Sequence, residues 1–215
     1  MHVLTAIGEQ LVTVGLRSVK FRPSFLNMSR IGSPTDIVAA FATVCGVPRF
    51  TGNPVLDTPL LRRWRSDQFR TAGSVLWCCT DEDDISWLVG YINERGRYVA
   101  GVLPLEDIVG LAHGLLRHGV VGDAPPEHTR SAKKSDYTSQ FNARDFVSAA
   151  MAHLGTSEHD AWQMTMSGYI GAMRAKFPPT KEQAAPPTTE DVVRVEDWLS
   201  RVNKARAAQK AANHV

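Results

Sequence analysis

The chain has 215 residues, 43% of them hydrophobic, which is enough for one sizeable core with a small helical domain beside it and excludes a disordered tail. With 24 Lys and Arg against 22 Asp and Glu, the net charge of +2 supplies no general electrostatic basis for binding nucleic acid or an acidic membrane. Three cysteines, Cys45, Cys78 and Cys79, are too few and too poorly spaced for a disulfide framework, and read as reduced thiols in a core.

The start, MHVLTAIGEQLVTVGLR, lacks the basic and apolar regions of a secretory signal, and no apolar run approaches the roughly 20 residues of a membrane span. The expectation is a protein that stays in the cytoplasm where it is made. Residues 9–22 alternate apolar and polar side chains around Gly15 to Ser18, which predicts a hairpin ended by Pro23. A helix follows, with Ser33 as N-cap, Pro34 at its first position, Asp36 in its first turn and Gly46 past its end.

Two prolines and a glycine mark residues 47–57 as a loop, and Thr58 and Pro59 are expected to start the next helix. Its apolar face, Leu61, Trp64, Gln68, Phe69, Ala72, Val75, Leu76 and Cys79, reads as core. Arg62, Arg63, Arg65 and Arg70 fall mostly outside that arc and read as a solvated face rather than a phosphate site. The acidic run Asp81 to Asp84 lacks the ligand alternation and central Gly of a calcium loop. Asp83 or Asp84 as N-cap of a short helix from Ile85 to Gly90 accounts for it.

Residues 91–103 predict a second hairpin turning at Glu94 to Gly96. Pro104 and Glu106 then open a helix with the stripe Leu105, Ile108, Val109, Leu111, Ala112, Leu115 and Leu116, closed by Gly119; Gly110 and Gly114 leave a smooth patch on its other side. His113 and His118 are five apart, about 140° around a helix, so they do not form the one-faced pair of a zinc site with Cys78 and Cys79. No GxxxxGK[ST], GxGxxG after a strand, GxSxG or HExxH occurs, and the chain reads as having no catalytic, cofactor or metal site.

Residues 122–140 read as a linker. Beyond them Asn142 caps a helix bearing Phe146, Val147, Ala149, Ala150 and Leu154, ended by Gly155. A second helix, opening on a Ser157 to Asp160 cap, carries Trp162, Met164, Met166, Tyr169, Ile170, Met173 and Phe177. Residues 178–189 are a Pro-rich linker, and 190–215 an amphipathic helix capped by Thr189 with Val192, Val195, Trp198, Leu199, Val202 and Ala205 on one stripe. That helix has three open destinations: its own body, a second copy, or a partner. The expected fold is mostly α within α+β: an N-terminal α+β domain at 1–121 with two small hairpins, a helical-pair unit at 141–177, and the tethered C-terminal helix.

Several segments resemble tail assembly chaperones of long-tailed, non-contractile bacteriophages. They are RPSFLNMSRIGSPTDIV from Arg22, VLWCCTDEDDISWLVG from Val75, SDYTSQFNARDFVSAA from Ser135, and the C-terminal features Leu154, Gly155, Ser157, Glu158, Ala161, Trp162, Thr165 and Met173 to Phe177. In that family a helix ending in Leu-Gly is followed by a short capped helix with Trp, then a threonine and a last helix. The resemblance spans most of residues 20–177.

The resemblance implies a non-enzymatic protein of the host cytoplasm, without cofactor, that binds the tape measure protein and keeps it soluble while the tail is assembled. In many phages of that family a longer, frameshifted form recruits tail tube protein, and whether this chain has such a form stays open. Trp162, Met164, Met166, Tyr169, Met173 and Phe177, with Val195, Trp198, Leu199 and Val202 of the last helix, are the candidate partner contacts, although a Met and aromatic stripe at helical spacing also suits a core. Self-association stays open. So do a structural tail or head-to-tail junction component and a helical regulatory protein. Neither nucleic acid nor membrane is an expected partner.

Overall fold

The computed structural model describes residues 3–48, 52–95, 97–122 and 139–178. Thr5–Ile7 form a 3-10 turn that leads into the first hairpin, β1 (Gln10–Val14) and β2 (Arg17–Phe21), paired antiparallel with Val12 opposite Val19. Alternation along β2 turns Val19 and Phe21 into the core while Ser18 stays exposed. Glu9, just before β1, is buried. Its carboxylate lies 2.8 Å from Lys20 Nζ and accepts the Leu4 N–H at 2.9 Å, so the burial of a charge is compensated on both sides.

Ser24 then caps α1 (Phe25–Ser29), accepting the Asn27 N–H. Helix α2 (Pro34–Cys45) has the expected limits. Ser33 and Asp36 form a reciprocal capping box, Pro34 occupies the first position and Gly46 the C-cap.

Helix α3 (Pro54–Cys78) begins four residues before the predicted Thr58 and Pro59 start. Asn53 is its N-cap, accepting the Val55 N–H, and Pro54 takes the first position where a missing N–H costs nothing. Pro59 therefore lies inside the helix, where it forfeits one backbone hydrogen bond. Only the lower half of the predicted core face is buried: Ala72, Val75, Leu76 and Cys79 are, whereas Leu61 and Trp64 are half-exposed.

Asp84 Oδ1 accepts the Ser86 N–H at 2.8 Å, one residue ahead of the formal N-cap Ile85 of α4 (Ser86–Val89). The second hairpin, β3 (Tyr91–Ile92) and β4 (Tyr98–Val99), pairs Tyr91 with Val99 and Ile92 with Tyr98. Helix α5 (Leu105–Leu116) buries Ile108, Ala112, Leu115 and Leu116 and makes its principal packing against α3. It is not closed by Gly119. The chain runs through Gly119 in a π turn, Arg117–Val121, and stops at Gly122, whose φ is 82°; Gly119 serves packing instead, since a Cβ there would run into Met28 and Pro23.

Residues 123–138, most of the predicted 122–140 linker, lie outside the described residues, as do all but the first residue of the predicted 178–189 linker and the whole of the predicted 190–215 helix. Helix α6 (Ala143–Leu154) ends at Gly155, whose φ of 70° is the left-handed value of a helix stop. The predicted single second helix is broken in two. Ser157 caps α7 (Glu158–Trp162), and Thr165 caps α8 (Met166–Lys176). Thr165 adopts an extended conformation there, and it pairs with Ser24 in an isolated antiparallel bridge.

This break ties the helical pair to the rest of the molecule. Phe25 donates its N–H to the Met164 carbonyl at 2.8 Å, and the Phe25 ring stacks on Phe146 at 5.6 Å with Tyr169 edge-on to both. Residues 141–177 consequently share one hydrophobic core with the hairpin, α3 and α5, instead of forming a unit of their own. The observed class is the predicted one: mostly helical, with two small antiparallel two-stranded sheets among the described residues. No helix among those residues is long and apolar enough to cross a membrane.

Candidate functional site

The predicted partner contacts do not form one exposed face. Met166 is a core residue, 4% exposed, which corrects its reading as a contact: Thr165 starts α8 against Ser24 and thereby turns Met166 inward. Trp162, Met164 and Tyr169 are half-buried against the same core, and Trp162 Nε1–H donates to Glu158. Met173 is half-buried, and Phe177, edge-on to His153, is exposed. Val195, Trp198, Leu199 and Val202 lie outside the described residues.

The exposed apolar surface concentrates elsewhere. Trp77, Tyr91, Ile92, Tyr98 and Val99 are all exposed, and four of them stand around a cleft of about 150 Å³ between α3 and the second hairpin. The cleft follows from small residues at two places. On α3, Gly73 and Ser74 precede Trp77 and leave its floor low. At the start of the hairpin, Gly90 has φ 88°, and a Cβ there would collide with the Val99 carbonyl and the Tyr98 hydroxyl. The hairpin is thus free to fold back over α4.

Four contacts fix its position. Tyr98 donates its hydroxyl to the Val89 carbonyl at 2.7 Å, and its ring meets Phe69 of α3 edge-on at 4.7 Å. Past β4, the Val102 and Leu103 N–H groups donate to the Trp87 and Leu88 carbonyls, each at 3.0 Å. One wall of the cleft is a helix and the other a pinned hairpin, so its apolar side chains are held in place before any ligand arrives.

Chemically the cleft is a place to receive an apolar side chain. Its polar groups are Arg70, Ser74 and the hydroxyls of Tyr91 and Tyr98, the last of which already donates to the Val89 carbonyl. A second cleft of about 350 Å³, between the end of α2 and α3, has Trp64 and Val47 as apolar walls beside Thr43, Pro48 and Asp67. His118 Nδ1 lies 2.8 Å from Ser167 Oγ, half-buried, and neither cleft reaches this pair. It ties the π turn to α8.

The thiols are not poised for chemistry. Burial pushes the Cys45 thiol up to about 11 and raises Cys78 and Cys79 as well, Cys79 being buried. Among the described residues no group of three His, Cys, Asp or Glu side chains is placed to hold a metal ion.

The profile of a family of unknown function, DUF6246, matches residues 21–191, well over half of the chain. The chain belongs to this family. The matched span takes in every wall of the cleft, from Phe69 to Tyr98, and the α6 to α8 segment with it. No curated protein and no solved structure matches this DUF6246 member.

Sequence reasoning missed the cleft. Trp77 carried a signal, since it lies off the arc that holds Ala72, Val75, Leu76 and Cys79. So did the consecutive apolar pairs Tyr91–Ile92 and Tyr98–Val99: in a two-stranded hairpin successive side chains point to opposite faces, and one small body cannot cover both.

Proposed function

We propose that this DUF6246 protein is a tail assembly chaperone that binds the tape measure protein in the host cytoplasm and covers its apolar helical stripes during tail morphogenesis. The observation that carries the reading is the exposed cleft of Trp77, Tyr91, Ile92 and Tyr98 on a pinned scaffold. An exposed cluster of aromatics marks an interaction surface. Covering each of these half-exposed side chains contributes roughly 1–2 kcal/mol at about 25 cal/mol per Å², before the entropic cost of association. The segments from Arg22, Val75 and Ser135 and the Leu154 to Phe177 features, which resemble such chaperones, supply the identity of the partner.

A long helical ruler with apolar stripes aggregates unless the stripes are covered, and a small protein that offers preformed aromatic pockets covers them without chemistry. The frameshifted longer form that recruits tail tube protein belongs to the same proposal. The test is co-expression with the tape measure protein of the same phage. The proposal predicts a several-fold rise in its soluble yield and co-purification of the two. An insoluble tape measure protein in the presence of abundant soluble chaperone contradicts it.

A further inference from the structure

The wall that α3 gives to the cleft continues well beyond it. Arg62, Ser66, Arg70, Gly73 and Trp77 are spaced four, four, three and four residues apart, which puts them on one face of the helix, and Arg63 recurs at seven-residue intervals with Arg70 and Trp77. At 1.5 Å per residue this face is about 22 Å long.

Its upper part is strongly basic. The side chains of Arg63 and Arg70 are 86% and 67% exposed, and Arg62 is exposed too. The carboxylate facing them, Asp67, is shared between Arg63 and Arg70 at 3.9 Å in each case, too long for a strong ion pair. Among the described residues, three guanidinium groups with one half-engaged carboxylate therefore lead directly into an apolar cleft.

From this juxtaposition we infer that the cleft is specific for an amphipathic helix that sets a large apolar side chain into the pocket and lays carboxylates along α3, over Arg70, Arg63 and Arg62. The inference rests on the proposed partner-binding role of the cleft and adds the charge and direction of what binds. The apolar side chain supplies affinity, and the arginine row selects against basic helices and sets which way the partner runs.

The test uses the full-length protein and two fluorescein-labelled helical peptides of about 20 residues, identical in their leucine stripe, one flanked by glutamates and the other by lysines. The glutamate peptide is expected to bind about tenfold or more tightly than the lysine peptide in low salt, with the preference shrinking as salt rises. Charge reversal at three exposed positions, R62E/R63E/R70E, leaves the fold intact by circular dichroism and inverts the preference. S74W, which fills the cleft from an exposed helical position, abolishes binding of the glutamate peptide.

Equal binding of both peptides, or a preference that survives the triple reversal, overturns the inference and leaves the partner-binding role of the cleft standing. Undiminished binding of the glutamate peptide to S74W also overturns it, since attraction by the arginines alone then explains the result. If neither peptide binds the wild type, the partner-binding role falls and the inference with it.

Discussion

Ser24 and Thr165 face each other across an isolated antiparallel bridge, both buried, and each is also the N-cap of a helix. Thr165 Oγ1 accepts the Gly168 N–H at 3.1 Å while the adjacent Met164 carbonyl takes the Phe25 N–H. Replacing Thr165 by Val keeps the shape and removes the acceptor. The expected loss is roughly 1–2 kcal/mol, read as a lower urea midpoint with unchanged slope. Thr165→Ser recovers most of it; a midpoint unchanged in Thr165→Val would mean that the cap contributes nothing.

Core and surface on α8 separate cleanly by substitution. Met166→Ala empties a 4% exposed site and is expected to cost roughly 2–4 kcal/mol. Phe177→Ala, at a side chain 52% exposed, is expected to stay within about 0.5 kcal/mol. Comparable losses in thermal denaturation of the two variants would contradict the placement of Met166.

Where the chain carries its own punctuation, the fold was legible. Ser33, Pro34, Asp36 and Gly46 bound α2 to the residue, and Gly155 with Ser157 marks the turn after α6, because caps and left-handed stops are local chemistry. The start of α3 was misplaced: two prolines and a glycine made 47–57 look like a loop, whereas Asn53 caps the Val55 N–H and Pro54 takes the first helical position, the same local chemistry one turn earlier. The break at Thr165 was legible only through resemblance: the residue that holds it, Ser24, lies 141 positions away. A similarly long separation hid the shared core, since Phe146 finds its stacking partner in Phe25. The site was the least legible part, because a cleft between a helix and a hairpin is a property of their contact and of neither alone.

Stability is expected to depend on pH through Glu9. Burial by itself raises its pKa, but the Lys20 hydrogen bond, the Leu4 N–H and the charges of Lys20 and Arg22 outweigh burial and hold the carboxyl below its ordinary value of 4.5. A depressed folded pKa means that the stabilisation is present above the unfolded value and is lost as pH falls through the folded one. Glu9→Gln should therefore lower the denaturation midpoint at pH 7 and flatten its decline below about pH 4.5. An acid decline as steep in Glu9→Gln as in the wild type would show that other carboxylates carry it.

The thiols give an independent readout of the core. With Cys45 pushed up to about 11 and Cys79 buried and raised further, little thiolate exists at pH 8 in the native state. Reaction with a chromogenic disulfide reagent is expected to be slow in buffer, slowest at Cys79, and fast at all three cysteines in denaturant. Rapid native labelling of Cys79, located by mass spectrometry, would place it outside the core.

Gly90 is the point at which hairpin geometry and binding meet. Gly90→Ala puts a Cβ into the Val99 carbonyl at a positive φ, so the hairpin must shift away from Phe69 and the Tyr98 to Val89 bond is lost. Partner affinity is expected to fall about tenfold or more, while α6 to α8, remote from the hairpin, keep their native exchange protection. Full affinity in Gly90→Ala would separate the hairpin from the binding surface.

The most direct measurement is amide hydrogen exchange of the protein with and without the bound tape measure protein, resolved by segment. The account predicts new protection concentrated at residues 91–99 and in the α3 turns that carry Gly73 and Trp77. A complex that forms but leaves those segments unchanged, with protection confined to residues 158–177, would contradict it.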